Sequence, residues 1–232
     1  MKKSHAIGAT QSSAETMSGI VYLAFQMLVL PSLLNMFNGQ LAHPLTEAEI
    51  NFTFYLINFI AMLLIFRSFL GSSLQQATRH PAYLCQAVIL GLAAYYACTW
   101  CTTHIIRLLA PNFSNYNDEA ISAMSRGNSF LMLIGTVVLV PPFEECLYRG
   151  LVFRNLYSKN KWAAYLVSIV LFAMIHILGY IGKYSPLELL MAVLQYLPAG
   201  LCLAWSYAKA ETIFAPIFVH AAINFITIRG LR

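Results

Sequence analysis

Three stretches of this chain set acid–base groups among residues that are otherwise apolar. "PPFEECLYRG", Pro141 to Gly150, carries Glu144, Glu145 and Arg149. "VLFAMIHILG", Val170 to Gly179, carries His176, with Phe172 one turn earlier on the same helical face. "IFAPIFVHAAINF", Ile213 to Phe225, carries His220 and Asn224 at i,i+4, so both project to one side of a helix. Glu145 and Arg149 are also i,i+4 with the glutamate first, the order that favours an ion pair, and they read as a structural pair. Glu144 has no basic residue three or four positions on, so its partner must come from another element. A carboxylate beside an imidazole can polarise a water and take its proton. A second imidazole and an amide can donate hydrogen bonds to a developing oxyanion. That combination suits hydrolysis of an amide. Glutamate with two histidines is equally a zinc ligand set with one open position, so Glu144, His176 and His220 are the metal candidates, and the cofactor is none or zinc. The helix-borne H-E-x-x-H pattern of soluble zinc proteases is absent.

The elements that must position these groups are membrane helices. Of the 232 residues 59% are hydrophobic and only 10% charged, against roughly 25% charged in a soluble domain. The mean hydropathy is +0.66. The bilayer is therefore the expected solvent and membrane lipid the first partner. A charge at the bilayer centre costs about 2.5 to 3.5 kcal/mol even on insertion scales, which makes each buried ionisable group a functional candidate. Candidate spans of about 20 apolar residues fall at 18–37, 51–70, 82–109, 129–156, 162–181, 187–207 and 212–229. The expected fold is all-α: a bundle of about seven transmembrane helices with an intramembrane active-site cavity. It forms a single domain over 1–232, with the motif-bearing core at about 129–229. Pro141-Pro142 predicts a kink or a restart in the fourth span, which would place Glu144 in a first helical turn.

Charge placement predicts orientation. With the N-terminus in the cytoplasm, Lys2, Lys3, Arg67, Arg79, Arg154, Lys159, Lys161 and Lys209 lie inside. Arg107, Arg126, Lys183, Arg229 and Arg232 then lie outside. The net charge of +5 reflects this loop bias, and no cluster of lysine and arginine suggests a nucleic-acid partner. The compact layout points to a bacterial cytoplasmic membrane. Cys98-Thr-Trp-Cys101 has the spacing of a redox pair but lacks a βαβ context, so it reads as packing. His104, in the third span, reads as packing or cavity lining.

"EECLYRG", "FAMIH" and "HAAIN" resemble the EExxxR, FxxxH and HxxxN motifs of the CPBP family, the type II CaaX prenyl endopeptidases and bacteriocin-processing or immunity (Abi) proteins. The order agrees, and no motif position departs. The resemblance covers about Val140 to Ile228. It implies an intramembrane endopeptidase with its site open to the cytosol, acting on a membrane-associated peptide or protein. Glu144 then corresponds to the water-activating glutamate and His176 to its partner. His220 and Asn224 correspond to the oxyanion-stabilising pair, with Glu145, Arg149 and Phe172 in support. The rival readings are a non-catalytic immunity or scaffold member of the same family, and a proton-coupled carrier. The carrier would be expected to show paired repeats with broken helices in both halves, whereas the polar groups here cluster in the second half.

Overall fold

The computed structural model describes residues 7–230. Lys2, Lys3 and Arg232, used above for orientation, lie outside the described residues. No strand occurs among the described residues, and the chain is an all-α membrane protein. Ten helices follow in order: α1 (Ser13–Leu28), α2 (Leu30–Asn38), α3 (Glu47–Ile65), α4 (Arg67–Arg79), α5 (Pro81–Leu109), α6 (Tyr116–Gly127), α7 (Ser129–Tyr157), α8 (Lys161–Ile177), α9 (Pro186–Ala210) and α10 (Phe214–Gly230).

Five of these, α3, α5, α7, α8 and α9, are long and apolar enough to cross a bilayer. A sixth crossing arises if α1 and α2 act together; they meet at 46° around Val29. Pro31, in the first turn of α2, supplies no N–H to the turn before it, which accounts for a break there. The expected seventh span, α10, is apolar but only 17 residues long, about 26 Å of helix. The expected span 51–70 is corrected. The helix ends at Ile65, Phe66 leaves helical geometry, and α4 begins at Arg67. α4 is too polar to continue the span.

Hydrogen bonds tie each end of the bundle. At one end Arg154 donates to the Ile7 carbonyl at 3.2 Å, and Thr212 to the Ser73 carbonyl at 2.9 Å. Glu15 closes a capping box on Ser12, and its other carboxylate oxygen accepts the Phe69 N–H at 2.8 Å. That N–H lies in the first turn of α4, where it has no partner within its own helix. At the opposite end α6 lies against α3 and α9: Asn51 on α3 reaches the Met124 sulfur, and Gln195 on α9 donates to Asp118 at 3.0 Å. Tyr116 stacks on Tyr184 at 3.3 Å between centroids and donates to Glu188.

α7 runs through the middle of the bundle without a restart. The double proline is accommodated by a wider turn over Gly135–Leu139, in which the Val140 N–H reaches back five residues to the Gly135 carbonyl. A second wide turn covers Cys146–Phe153. Such turns are rare and occur often at functional sites. Gly135 and Gly200 are both required by close approach. A Cβ at Gly135 would stand 2.8 Å from the Tyr55 ring, and one at Gly200 would stand 2.9 Å from the Ile169 Cα of α8.

Candidate active site

The wide turn of α7 rotates Glu144, Glu145 and Arg149 toward the bundle centre. Glu145 and Arg149 are both fully buried. Arg149 Nη1 donates to Glu145 Oε1 at 2.9 Å, as the i,i+4 spacing predicts. The same oxygen is 2.8 Å from His220 Nδ1. The spacing rule gave no sign of that third partner, because it comes from α10, 75 residues on. Glu145 therefore joins two helices as well as neutralising its own. Arg149 lies over the Phe172 ring, 4.5 Å from its centroid, and Nη2 reaches the Gly200 carbonyl at 3.5 Å. Phe172 stands between the two histidines, its ring centroid 4.7 Å from that of His176 and 5.8 Å from that of His220.

His176 is placed by the last turn of α8. Its Nδ1 is 2.8 Å from the Phe172 carbonyl. A carbonyl only accepts, so Nδ1 carries the proton and, in the neutral ring, Nε2 is an acceptor. Tyr196 on α9 stacks against the imidazole at 4.3 Å and 27°. His220 is fixed by the same logic: Nδ1–H serves Glu145, which leaves Nε2 for other partners.

Asn224 is positioned by the proline break. In the wide-turn register the Thr136 carbonyl would receive an N–H from residue 141, which is proline and has none. Asn224 Nδ2 donates to it instead at 2.8 Å. One amide hydrogen is thereby used and the second stays available.

Glu144, His176, His220 and Asn224 all line one cavity of about 870 Å³. Glu144 is half-buried, and its Oε2 has no hydrogen-bond partner. The walls come from every part of the fold: Gln26 on α1, Tyr55 on α3, Tyr95 and Thr99 on α5, Asp118 on α6, Tyr196 on α9. Tyr196, Thr136 and the Asp118–Gln195 pair were missed by sequence reasoning. Tyrosine and threonine are common in apolar helices and carry no spacing signal, and Asp118 sits in a polar stretch where an acid draws no notice.

His104 does not line the cavity: it is exposed on α5, its ring 4.2 Å from that of Trp100 and Nδ1 bonded to the Trp100 carbonyl at 2.7 Å. Cys98 and Cys101 do not face one another as a pair. Cys101 is exposed, and the half-buried Cys98 is a hydrogen-bonding neighbour of the buried Cys202 on α9. Among the described residues no three His, Cys, Asp or Glu side chains are grouped to hold a metal ion. Each imidazole commits Nδ1 to a protein acceptor and keeps Nε2 free.

Comparison with known proteins converges on the same region. Residues 126–226 match the family described as type II CAAX prenyl endopeptidase Rce1-like. The Bacillus subtilis (strain 168) protein named "Putative membrane peptidase YdiL" is 33% identical over 104 residues, 44% of this chain and 38% of that protein. The Lactococcus lactis (strain IL1403) UPF0177 protein YbdI is 26% identical over 100 residues, 43% of this chain and 49% of its own length. UPF0177 protein YxdF of the same strain is 31% identical over 87 residues, 38% of this chain and 42% of its own. The aligned stretch thus spans less than half the length of each of these relatives. No solved structure gave a significant match. The matched region holds all three motifs and every residue of the Glu144, His176, His220 and Asn224 set.

Proposed function

We propose that the chain is an intramembrane endopeptidase that hydrolyses a peptide bond in a membrane-associated peptide or protein. The observation that carries this reading is a carboxylate with an unpartnered oxygen, two oriented imidazoles and an amide lining one cavity inside a membrane bundle. The membrane-peptidase name of the Bacillus relative supports it.

Water is held between Glu144 and the acceptor nitrogen of His176. As its oxygen attacks the scissile carbonyl, its proton passes to this pair. Negative charge develops on the carbonyl oxygen. Asn224 donates its second amide hydrogen there. His220 donates from Nε2 as the imidazolium, balanced by the Glu145 carboxylate. The proton then moves to the amide nitrogen as the C–N bond breaks, which releases a carboxylate and an amine. Fixed donors in a water-poor site act without reorganising during the reaction, and each is worth about 10² to 10³ in rate. General-base assistance adds about 10² to 10⁴.

The test is cleavage of reporter peptides by the purified chain in lipid nanodiscs. Glu144→Gln and His176→Ala should each abolish cleavage while the protein stays folded, and cleavage by the unmodified chain should survive exhaustive chelation. Full activity in Glu144→Gln would refute the mechanism. Loss of activity on chelation, restored by zinc, would replace it with a metal-based one. A chain that cuts no peptide while keeping its fold would favour the non-catalytic alternative.

We further place the N-terminus in the cytoplasm. Arg67, Arg79, Arg154, Lys159, Lys161 and Lys209 lie toward the end of the bundle where α4 meets the 154–161 and 210–213 turns. The acids Glu47, Glu49, Asp118, Glu119 and Glu188 lie toward the other. The cavity reaches that second end, through Asn117, Asp118, Leu178 and Gly179. An N-terminus inside therefore puts the polar mouth outside, against the cytosolic opening that the family resemblance implies. The two expectations are mutually exclusive on this fold, and the charge bias favours the first.

A further inference from the structure

The cavity is electrostatically one-sided. Its lining includes two carboxylates, Glu144 and Asp118, and no lysine or arginine. Arg149 lies next to Glu144 in the chain but is engaged with Glu145, Gly200 and Phe172, away from the lining. Asp118 is not a solvated surface acid. Gln195 Nε2 donates to its Oδ2 at 3.0 Å. The phenols of Tyr95, Tyr180 and Tyr196 lie within electrostatic reach of Asp118. A hydrogen-bonded carboxylate thus stands among phenols on the wall of a largely apolar cavity, with no lysine or arginine among the described lining residues.

Its place relative to the candidate catalytic groups is defined. Gln195 and Tyr196 are consecutive on α9. One holds Asp118. The other stacks on His176 and donates to Asn115 at 3.4 Å, the residue that caps α6 by accepting the Asp118 N–H. Asp118 and His176 are thus tied to one cavity wall through neighbouring residues of α9.

We propose that Asp118, oriented by Gln195, is a specificity subsite that takes a basic side chain of the substrate peptide. The proposal rests on the peptidase reading above and names the substrate class for it. The amides that line the rest of the cavity, from Gln26, Asn51 and Asn117, suit a peptide backbone. A free C-terminal carboxylate meets no lysine or arginine among the described lining residues, so the substrate is read by a basic side chain within the segment rather than gripped by its C-terminus.

The test measures binding and cleavage separately. Three apolar peptides, amidated at the C-terminus and carrying the same uncharged fluorophore, differ only in one central Lys, Gln or Glu. Their affinities for the full chain in nanodiscs are read by fluorescence anisotropy. The Lys peptide should bind about tenfold tighter than the Gln peptide, and the Glu peptide weakest. Asp118→Asn keeps an acceptor for Gln195 and should erase the preference. Equal affinities for the wild-type chain, a comparison that needs no variant, would overturn the subsite, as would a Lys preference that persists in Asp118→Asn. Cleavage of the same peptides distinguishes the two readings: cutting without a Lys preference refutes the subsite alone, and a Lys preference in binding with no cutting refutes the peptidase reading alone.

Discussion

Glu145 Oε1 is the point on which most of the buried charge converges, since Arg149 and His220 both lie within 2.9 Å of it. Removing one member of such a group leaves the others buried and unpaired, at about 3 to 5 kcal/mol. Arg149→Ala should accordingly lower both the yield of folded protein and its melting temperature in detergent. Glu145→Ala should do the same and also reduce cleavage, because the His220 ring loses the acceptor that orients it. Normal yield and melting in Arg149→Ala would refute the ion-pair role. The Glu145–Arg149 half of this group is legible from i,i+4 spacing alone. The His220 half is not, because nothing in a linear sequence relates Glu145 to a residue on another helix.

At the scale of elements, the wide turn that precedes Pro141 is what aims the site. It leaves the Thr136 carbonyl for Asn224 and turns Glu144 into the cavity. The sequence marks the place, because two adjacent prolines cannot continue a regular ladder. It does not say whether the helix restarts or widens; that depends on whether another element can satisfy the freed carbonyl, and here α10 does. Packing between α8 and α9 supplies a clean test. An added Cβ at Gly200 meets the Ile169 backbone at 2.9 Å, whereas at Gly127 nothing lies within 4 Å. Gly200→Ala should lower stability by about 1 to 3 kcal/mol, and Gly127→Ala should be near neutral, both read by thermal unfolding in detergent. Gly200→Ala with unchanged melting would mean that α8 and α9 shift freely, and that Tyr196 is not rigidly held against His176.

For the whole molecule, two outcomes follow from how charge is spread. With the N-terminus in the cytoplasm, α10, which runs from the 210–213 turn toward the opposite end of the bundle, ends outside. A reporter fused after Gly230 should be active when it requires an extracytoplasmic location, and silent when it requires the cytoplasm. The opposite pattern would place the cavity mouth in the cytosol. The second outcome concerns pH. Burial raises the Asp118 carboxyl above its ordinary value of about 3.9, only partly opposed by the bond from Gln195. A carboxyl raised in the folded state stabilises the fold when protonated, and that contribution is lost as pH rises through the folded value. Asp118→Asn should therefore melt higher than wild type near neutral pH, and the difference should shrink as pH falls toward the ordinary carboxylate range. A constant difference across that window would show that the carboxyl is not held in the way described.

Membrane solvation, the all-helical class and the candidate groups Glu144, His176, His220 and Asn224 follow from the sequence by itself. Apolar length dictates helices where no water can satisfy a backbone, and an ionisable group in such a helix is too costly to be incidental. The tertiary structure alone decided the rest. It showed which helices bend or stop short, because that depends on neighbours that fill or block a turn. It showed that Glu145 serves His220, that Tyr196 supports His176 and that Asp118 joins the same cavity, because these contacts link residues 20 to 80 positions apart. It placed His104 on the outside, because a helix face is assigned by what packs against it.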